Sequence, residues 1–76
     1  MNVWECHHQM WDGTAHKTMY RTYFSSRKRA VKDAINQFHY CDGQEHYWVR
    51  ESKDFSTIAQ KTGLARIVHI RKVPVQ

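Results

Sequence analysis

An Asp-Gly pair at positions 12 and 13 divides the first 24 residues into two segments with alternating side chains. Asp-Gly is the strongest short-range signal for a β-hairpin, because both central positions of a tight hairpin turn favour a positive φ. The second segment is rich in Thr, Tyr and Phe, which favour a pleated surface. We therefore predict two strands, at about 2–11 and 15–24, joined as a hairpin.

An apolar stripe with helical spacing follows the hairpin. Ser25 and Ser26 can accept hydrogen bonds from the free N–H groups of a first helical turn, and Gly43 is suited to end the helix. The pattern predicts a helix at about 26–40 that packs on one face of the hairpin. The stripe consists of Ala30, Val31, Ala34, Ile35 and Phe38.

The residues between 45 and 74 predict two more strands and a short helix. Aromatic and β-branched residues favour a strand at about 45–51, and a β-branched alternation favours a last strand at 66–73, which Pro74 ends. The helical spacing of Phe55, Ile58 and Ala59 favours a short helix at about 55–62 between these strands.

These elements predict an α+β fold in which an antiparallel sheet of about four strands is covered on one face by one main helix, in the order β-β-α-β-(α)-β. We expect one domain over residues 1–76. The segment 56–66 is also similar to the first helix and turn of helix-turn-helix proteins. That motif requires a recognition helix after the turn, whereas the residues that follow here favour a strand.

The chain is strongly basic, with 12 Lys and Arg against 7 Asp and Glu and a net charge of +5. Such a charge attracts nucleic acid or an acidic protein face. The first residues resemble no export signal, and 2 cysteines are too few for a disulfide scaffold. We therefore expect a cytoplasmic protein with reduced thiols and without a membrane segment, a cofactor or a small-molecule substrate.

Two basic clusters are candidates for binding phosphate or carboxylate groups. Cations at the helix start oppose the helix dipole and lower stability, while free N–H groups there suit an anion; a solvated basic face is the alternative. Cations on the last strand share the open sheet face with aromatic rings if Val68 and Ile70 face the helix, although those rings could instead fill the core. The predicted partner-binding residues are Arg27, Lys28, Arg29, Lys32, Trp48, Arg50, His69 and Arg71, and Trp11, Lys17 and Arg21 could share the open face.

Cysteine and histidine occur together twice, in the segments 6–8 and 39–41. Cys and neutral His are ligands of tetrahedral zinc, so Cys6, His8, His39 and Cys41 are weak metal candidates. The spacing fits no zinc finger and lacks a Cys-x-x-Cys pair, so a metal-free fold with two buried thiols is expected. No nucleophile elbow, carboxylate pair or phosphate loop is present either, and we expect a protein that is not an enzyme.

The layout resembles small phage-encoded accessory proteins, among them anti-CRISPR proteins and inhibitors of host nucleic-acid machinery. A short chain with a hairpin, in which the segment 24–26 opens a helix carrying Ala30, Ala34 and Ile35, is the basis of this resemblance. It implies a non-catalytic protein that docks on a nucleic-acid-processing complex as an inhibitor or accessory factor.

The step from Asp12 to Phe38 also resembles the arm-binding domain of tyrosine-recombinase integrases, which has three strands before its helix where two are predicted here. This leaves two alternatives to the inhibitor. The first is a direct DNA- or RNA-binding module, and the second is a small metal-free ribonuclease of the toxin type. The salt dependence of binding distinguishes a nucleic-acid ligand from a protein partner.

Overall fold

The computed structural model describes residues 2–42, 45–61 and 66–75, with the backbone alone for 39–42. One helix packs on one face of a five-stranded antiparallel sheet, which confirms the α+β prediction. The elements are β1 (Asn2–Trp11), β2 (His16–Phe24), α1 (Arg27–Asp42), β3 (His46–Glu51), β4 (Phe55–Gln60) and β5 (Arg66–Pro74).

The predicted hairpin is formed by β1 and β2 around a turn at residues 12–15. Asp12 Oδ1 accepts hydrogen bonds from the backbone N–H groups of Thr14 and Ala15 at 2.8 and 3.0 Å. These two hydrogen bonds lower the pKa of the Asp12 carboxyl below its ordinary value. Gly13 has a φ of 104°, a conformation that residues with a side chain rarely adopt. The Asp-Gly pair therefore sets the turn as its chemistry suggests.

The last strand of the chain lies at the centre of the sheet. The strand order is β2-β1-β5-β4-β3, so that β5 pairs with β1 on one side and with β4 on the other. In this register Cys6 lies opposite Ile70, and His8 lies opposite Val68. A bulge interrupts the pairing of β1 with β2 between His8 and Gln9. β5 thus joins two hairpins into one sheet.

The helix begins after Ser26, whose Oγ accepts a hydrogen bond from the Arg29 N–H at 3.3 Å. Its predicted apolar stripe faces the sheet, where Ala30, Ala34 and Phe38 are at most 1% exposed. No helix in the described part of the chain is long and apolar enough to cross a membrane. The core beneath α1 also contains Cys6, Ile58, Val68 and Ile70, with Trp4, Phe24, Val31, Ile35 and Trp48 packed around it.

The predicted short helix at 55–62 is wrong, because residues 55–60 form β4. Ile58 enters the core as predicted, but it does so from a strand that pairs with β3 and β5 on its two sides. Phe55, Thr57 and Ile58 favour a pleated surface, and pairing on both sides outweighs a helical spacing that spans little more than one turn. A strand here also excludes the helix-turn-helix alternative.

Candidate functional site

The sheet face opposite α1 carries a polar cavity of about 400 Å³. Cys6 and His8 are buried on the helix side of β1, as Val68 and Ile70 are on β5. Because side chains alternate along a strand, the residues between them point to the other face. The side chains that line this open-face cavity are Glu5, His7, Gln9, Arg21, Phe55, His69 and Arg71.

A nearly buried carboxylate lies between two arginines in the open-face cavity. Glu5 is 5% exposed, and its Oε1 accepts a hydrogen bond from Arg71 Nε at 3.1 Å. Arg21 Nε lies 4.0 Å from the same oxygen. The arginine side chains remain 54% and 47% exposed. Two cations around one anion leave a net charge of +1, and pairing through Nε leaves the terminal NH₂ groups for an outside anion.

His69 is fixed as a neutral ring at the base of the cavity. Gln9 Oε1 can only accept, so His69 Nε2 donates to it at 2.9 Å. His69 Nδ1 then accepts from the Thr57 hydroxyl, also at 2.9 Å. Burial lowers the pKa of His69, and the neighbouring His7 and His16 lower it further. With both ring nitrogens bonded, His69 orients the cavity wall and has no nitrogen left for a ligand.

His7 is the histidine of the cavity that can change its charge when an anion arrives. Its Nε2 lies 2.6 Å from Thr18 Oγ1, and its ring centroid lies 5.9 Å from that of His69. Burial lowers the pKa of His7, and the charge of Arg21 lowers it further, against the opposing effect of Glu5. A bound anion would offset both of these effects and favour the charged ring.

Phe55 forms the aromatic side of the open-face cavity. Its ring centroid lies 5.9 Å from that of His69 and 5.2 Å from the Arg50 guanidinium carbon. Residues Trp48 and Arg50 pair with Ile58 and Thr57 across a bulge. Because Ile58 faces the helix and Thr57 bonds to His69, the bulge turns Arg50 to the open face.

Of the predicted partner-binding residues, His69 and Arg71 line the cavity and Arg50 lies on the Phe55 ring. The prediction that Trp48 shares the open face is wrong. Its ring packs against the core, and the Arg27 guanidinium lies 5.6 Å from the ring centroid. A strand without a bulge would have put Trp48 and Arg50 on one face, which is why the sequence grouped them. Of the further open-face candidates, Arg21 lines the cavity, whereas Trp11 and Lys17 contact His16 and Asp12 near the hairpin turn.

The predicted cation cluster at the helix start divides into two groups. The Arg27 NH₂ group donates to Ser56 Oγ at 3.1 Å, so Arg27 ties the helix to β4. Lys28, Arg29 and Lys32 are exposed and stay candidates for an anion contact. They lie on α1 and therefore on the opposite side of the sheet from the open-face cavity.

Sequence reasoning missed Glu5, His7, Gln9 and Phe55 as parts of a site. The alternation of β1 already separated His7 from Cys6 and His8. What the sequence did not show is that β5 lies beside β1, which brings His69 and Arg71 to these residues. Comparisons of the chain with protein-family models, with curated proteins and with solved structures found no match.

Proposed function

We propose that the protein binds single-stranded nucleic acid in the open-face cavity. Arg21 and Arg71 would contact a phosphate group, and Phe55 would offer its ring to a base. The observation that carries this proposal is the arrangement around Glu5, where one nearly buried carboxylate orients two half-exposed guanidinium groups. Guanidinium groups with free NH₂ donors are well suited to phosphate oxygens.

The charge of the cavity favours an anionic ligand. Arg21, Arg71 and Glu5 leave one positive charge, and Arg50 adds a second beside Phe55. The whole chain carries +5, so that long-range attraction acts in the same direction. A neutral or cationic ligand would gain nothing from this arrangement.

The aromatic side of the cavity favours a single strand over a duplex. A base can stack on Phe55 only if its own face is free, as it is in an unpaired strand. Such stacking on protein rings contributes about 1–3 kcal/mol per base and tolerates any sequence. A concave sheet face that combines arginines with a ring provides both contacts.

Cleavage of the bound strand is not part of this proposal. Phosphodiester cleavage by proton transfer needs one group to remove a proton and another to donate one. Both nitrogens of His69 are occupied by Gln9 and Thr57, which leaves His7 as one such group. The toxin-type ribonuclease therefore lacks a second partner among the cavity histidines, and a binding protein that is not an enzyme fits better.

A second candidate function, docking on a partner protein, draws support from the end of the β1–β2 hairpin. Large apolar side chains are exposed there, and a nucleic-acid inhibitor or accessory factor of the anti-CRISPR kind would need such a surface. In the cytoplasm, where we place the protein, the free thiol of Cys6 would remain reduced. The side chains are Met10, Trp11, Met19 and Tyr20, each between 36% and 45% exposed.

Fluorescence anisotropy with a labelled single-stranded oligonucleotide tests the proposed nucleic-acid binding. The double variant Arg21→Gln/Arg50→Gln should weaken binding at least about tenfold, because two phosphate contacts are lost, and should flatten the salt slope by about 0.7 per contact. Lys61→Gln is the control, since Lys61 pairs with Glu45 outside the cavity. Equal affinity in the double variant and in Lys61→Gln would reject the cavity as the binding site.

Two further arms of the same experiment separate the alternatives. If Lys28→Gln/Arg29→Gln weakens binding and the cavity variant does not, the helix start is the anion site. Trp11→Ala should leave oligonucleotide affinity unchanged but reduce capture of a partner protein that resists nuclease treatment. An intact labelled RNA after incubation with the protein is expected, and its cleavage would favour the ribonuclease.

A further inference from the structure

Three side chains of the kinds that bind metal ions converge beneath α1, on the opposite side of the sheet from the open-face cavity. Cys6 and His8 lie on the helix side of β1, and Asp33 lies on α1, three residues after Ala30. One ligand atom from each, the thiol sulfur, a ring nitrogen and a carboxylate oxygen, lies within 4.8 Å of the other two. The first two were weak candidates from the sequence, but His39 and Cys41 have side chains outside the described residues.

The polar atoms of this cluster are close together without forming short hydrogen bonds. His8 Nε2 lies 3.9 Å from Asp33 Oδ2 and 3.4 Å from Thr22 Oγ1, whereas hydrogen bonds of this kind usually measure about 2.7–3.2 Å. Cys6 is 0% and His8 2% exposed. Buried polar groups are normally well bonded, so loose contacts among three metal-binding side chains point to a missing common partner.

The histidine of the cluster is oriented and neutral, as a metal ligand must be. Its ring stacks on Tyr20 with the centroids 4.3 Å apart. Burial lowers the pKa of His8, against the opposing effect of Asp33. The Asp33 side chain is 29% exposed, which gives an ion a path from solvent to the buried thiol.

We propose that Cys6 Sγ, His8 Nε2 and an Asp33 carboxylate oxygen bind one Zn²⁺ ion. Zinc takes sulfur, imidazole and carboxylate ligands in a tetrahedral arrangement, and three protein ligands with one further position occupied by water is a common pattern. Neighbouring ligand atoms in such a centre lie about 3.3–3.8 Å apart. The cluster therefore has to contract by about 1 Å at most, which Asp33 can achieve by rotating its half-exposed side chain.

Binding converts the Cys6 thiol to a thiolate and releases its proton to the solvent. Without an ion, the thiol donates to the Ala30 carbonyl oxygen at 3.3 Å, and burial raises the pKa of Cys6 to about 12. Zn²⁺ supplies the positive charge that a buried thiolate needs. Thiolate and carboxylate together neutralise the ion, so the loaded site carries no net charge.

The proposed ion would join the first strand to the helix, and it binds the folded state alone because these ligands are distant in sequence. Zinc should therefore raise the melting temperature of protein first treated with chelator. Calorimetric titration with ZnCl₂ should give one equivalent. Co²⁺, used as a spectroscopic probe, should show thiolate-to-cobalt charge-transfer absorption in the near ultraviolet.

Asp33→Asn is the decisive variant, because Asp33 is on the surface side of the cluster and its loss should leave the fold intact. It should weaken zinc binding about tenfold or more, while the control Glu45→Gln, which alters an exposed carboxylate elsewhere, should not. Cys6→Ser should abolish the cobalt–thiolate absorption. Circular dichroism of each variant verifies folding.

Unchanged zinc affinity in Asp33→Asn, or a cobalt complex without thiolate absorption, would overturn the proposal and assign any bound zinc to surface histidines. A melting temperature that zinc does not raise would overturn it as well. Oligonucleotide binding by the open-face cavity is measured in chelator and stands or falls separately, because the two sites lie on opposite faces of the sheet.

Discussion

The guanidinium of Arg27 stabilises the contact between the helix start and the β3–β4 half of the sheet. It stacks over Trp48 and donates to Ser56 Oγ, and a cation on a tryptophan ring contributes about 0.5–2 kcal/mol. Its Nε atom is buried without a hydrogen-bond partner among the described residues, which offsets part of that gain. Its neighbour Lys28 is exposed and opposes the helix dipole.

Arg27→Gln should lower the free energy of unfolding by about 1–2 kcal/mol, because it removes the stacking and the hydrogen bond. Lys28→Gln should change it by less than about 0.5 kcal/mol, or raise it slightly through the helix dipole. Urea denaturation of both variants beside the wild type provides the measurement. Equal stabilities for the two variants would mean that the contacts of Arg27 contribute nothing.

At the scale of the elements, α1 supplies half of the core through a narrow stripe of small residues around one ring. Phe38 is 1% exposed, whereas Ile35 packs against the core from its margin. Ala30 and Ala34 bring the helix close to the sheet. The fold therefore depends more on Phe38 than on any other side chain of the helix.

Phe38→Ala should cost about 3–5 kcal/mol, because a fully buried ring is lost and leaves a cavity. Ile35→Ala should cost clearly less, since part of its side chain already contacts water. Thermal melts monitored by circular dichroism give the comparison, and so small a fold is expected to lose much of its structure in the Phe38 variant. If Ile35→Ala is the more damaging change, the helix packs on the sheet through a different stripe.

The elements that the sequence predicts correctly are those with local signals. The Asp12-Gly13 turn and the helix stripe act over a few residues, and both were located within one or two residues of their place. β4 was predicted as a helix because its apolar spacing is short and its pairing partners lie elsewhere in the chain. Half of the open-face cavity was predicted for the same reason: β5 alternates visibly, but its position beside β1 depends on contacts about 60 residues apart.

At the scale of the whole molecule, buried histidines link stability to pH. The pKa values of His7 and His69 are lowered by burial in the folded state, whereas unfolded histidine has a pKa of about 6.5. Between the folded and unfolded values, the unfolded chain binds more protons. Stability therefore falls as the pH falls through about 6.5.

We expect a lower melting temperature at pH 5.5 than at pH 7.5 in chelator-containing buffer, and a smaller difference in His69→Gln, which has one lowered histidine fewer. Oligonucleotide affinity should change in the opposite direction and increase at the lower pH, because a bound phosphate favours charged His7. The carboxyl of Asp12, whose pKa is lowered, affects stability only at more acidic pH. A melting temperature independent of pH in this range would contradict the burial of these rings.

The central position of β5 has a consequence for how the chain is made. β1 and α1 leave the ribosome well before residue 66, and until β5 follows them the inner edge of β1 and the apolar stripe of the helix have no cover. At about 5–20 residues per second this exposure lasts on the order of seconds, and an unpaired strand edge is a template for other chains. The period of risk during synthesis is therefore set by the speed of translation, and slow codons before position 66 would lengthen it.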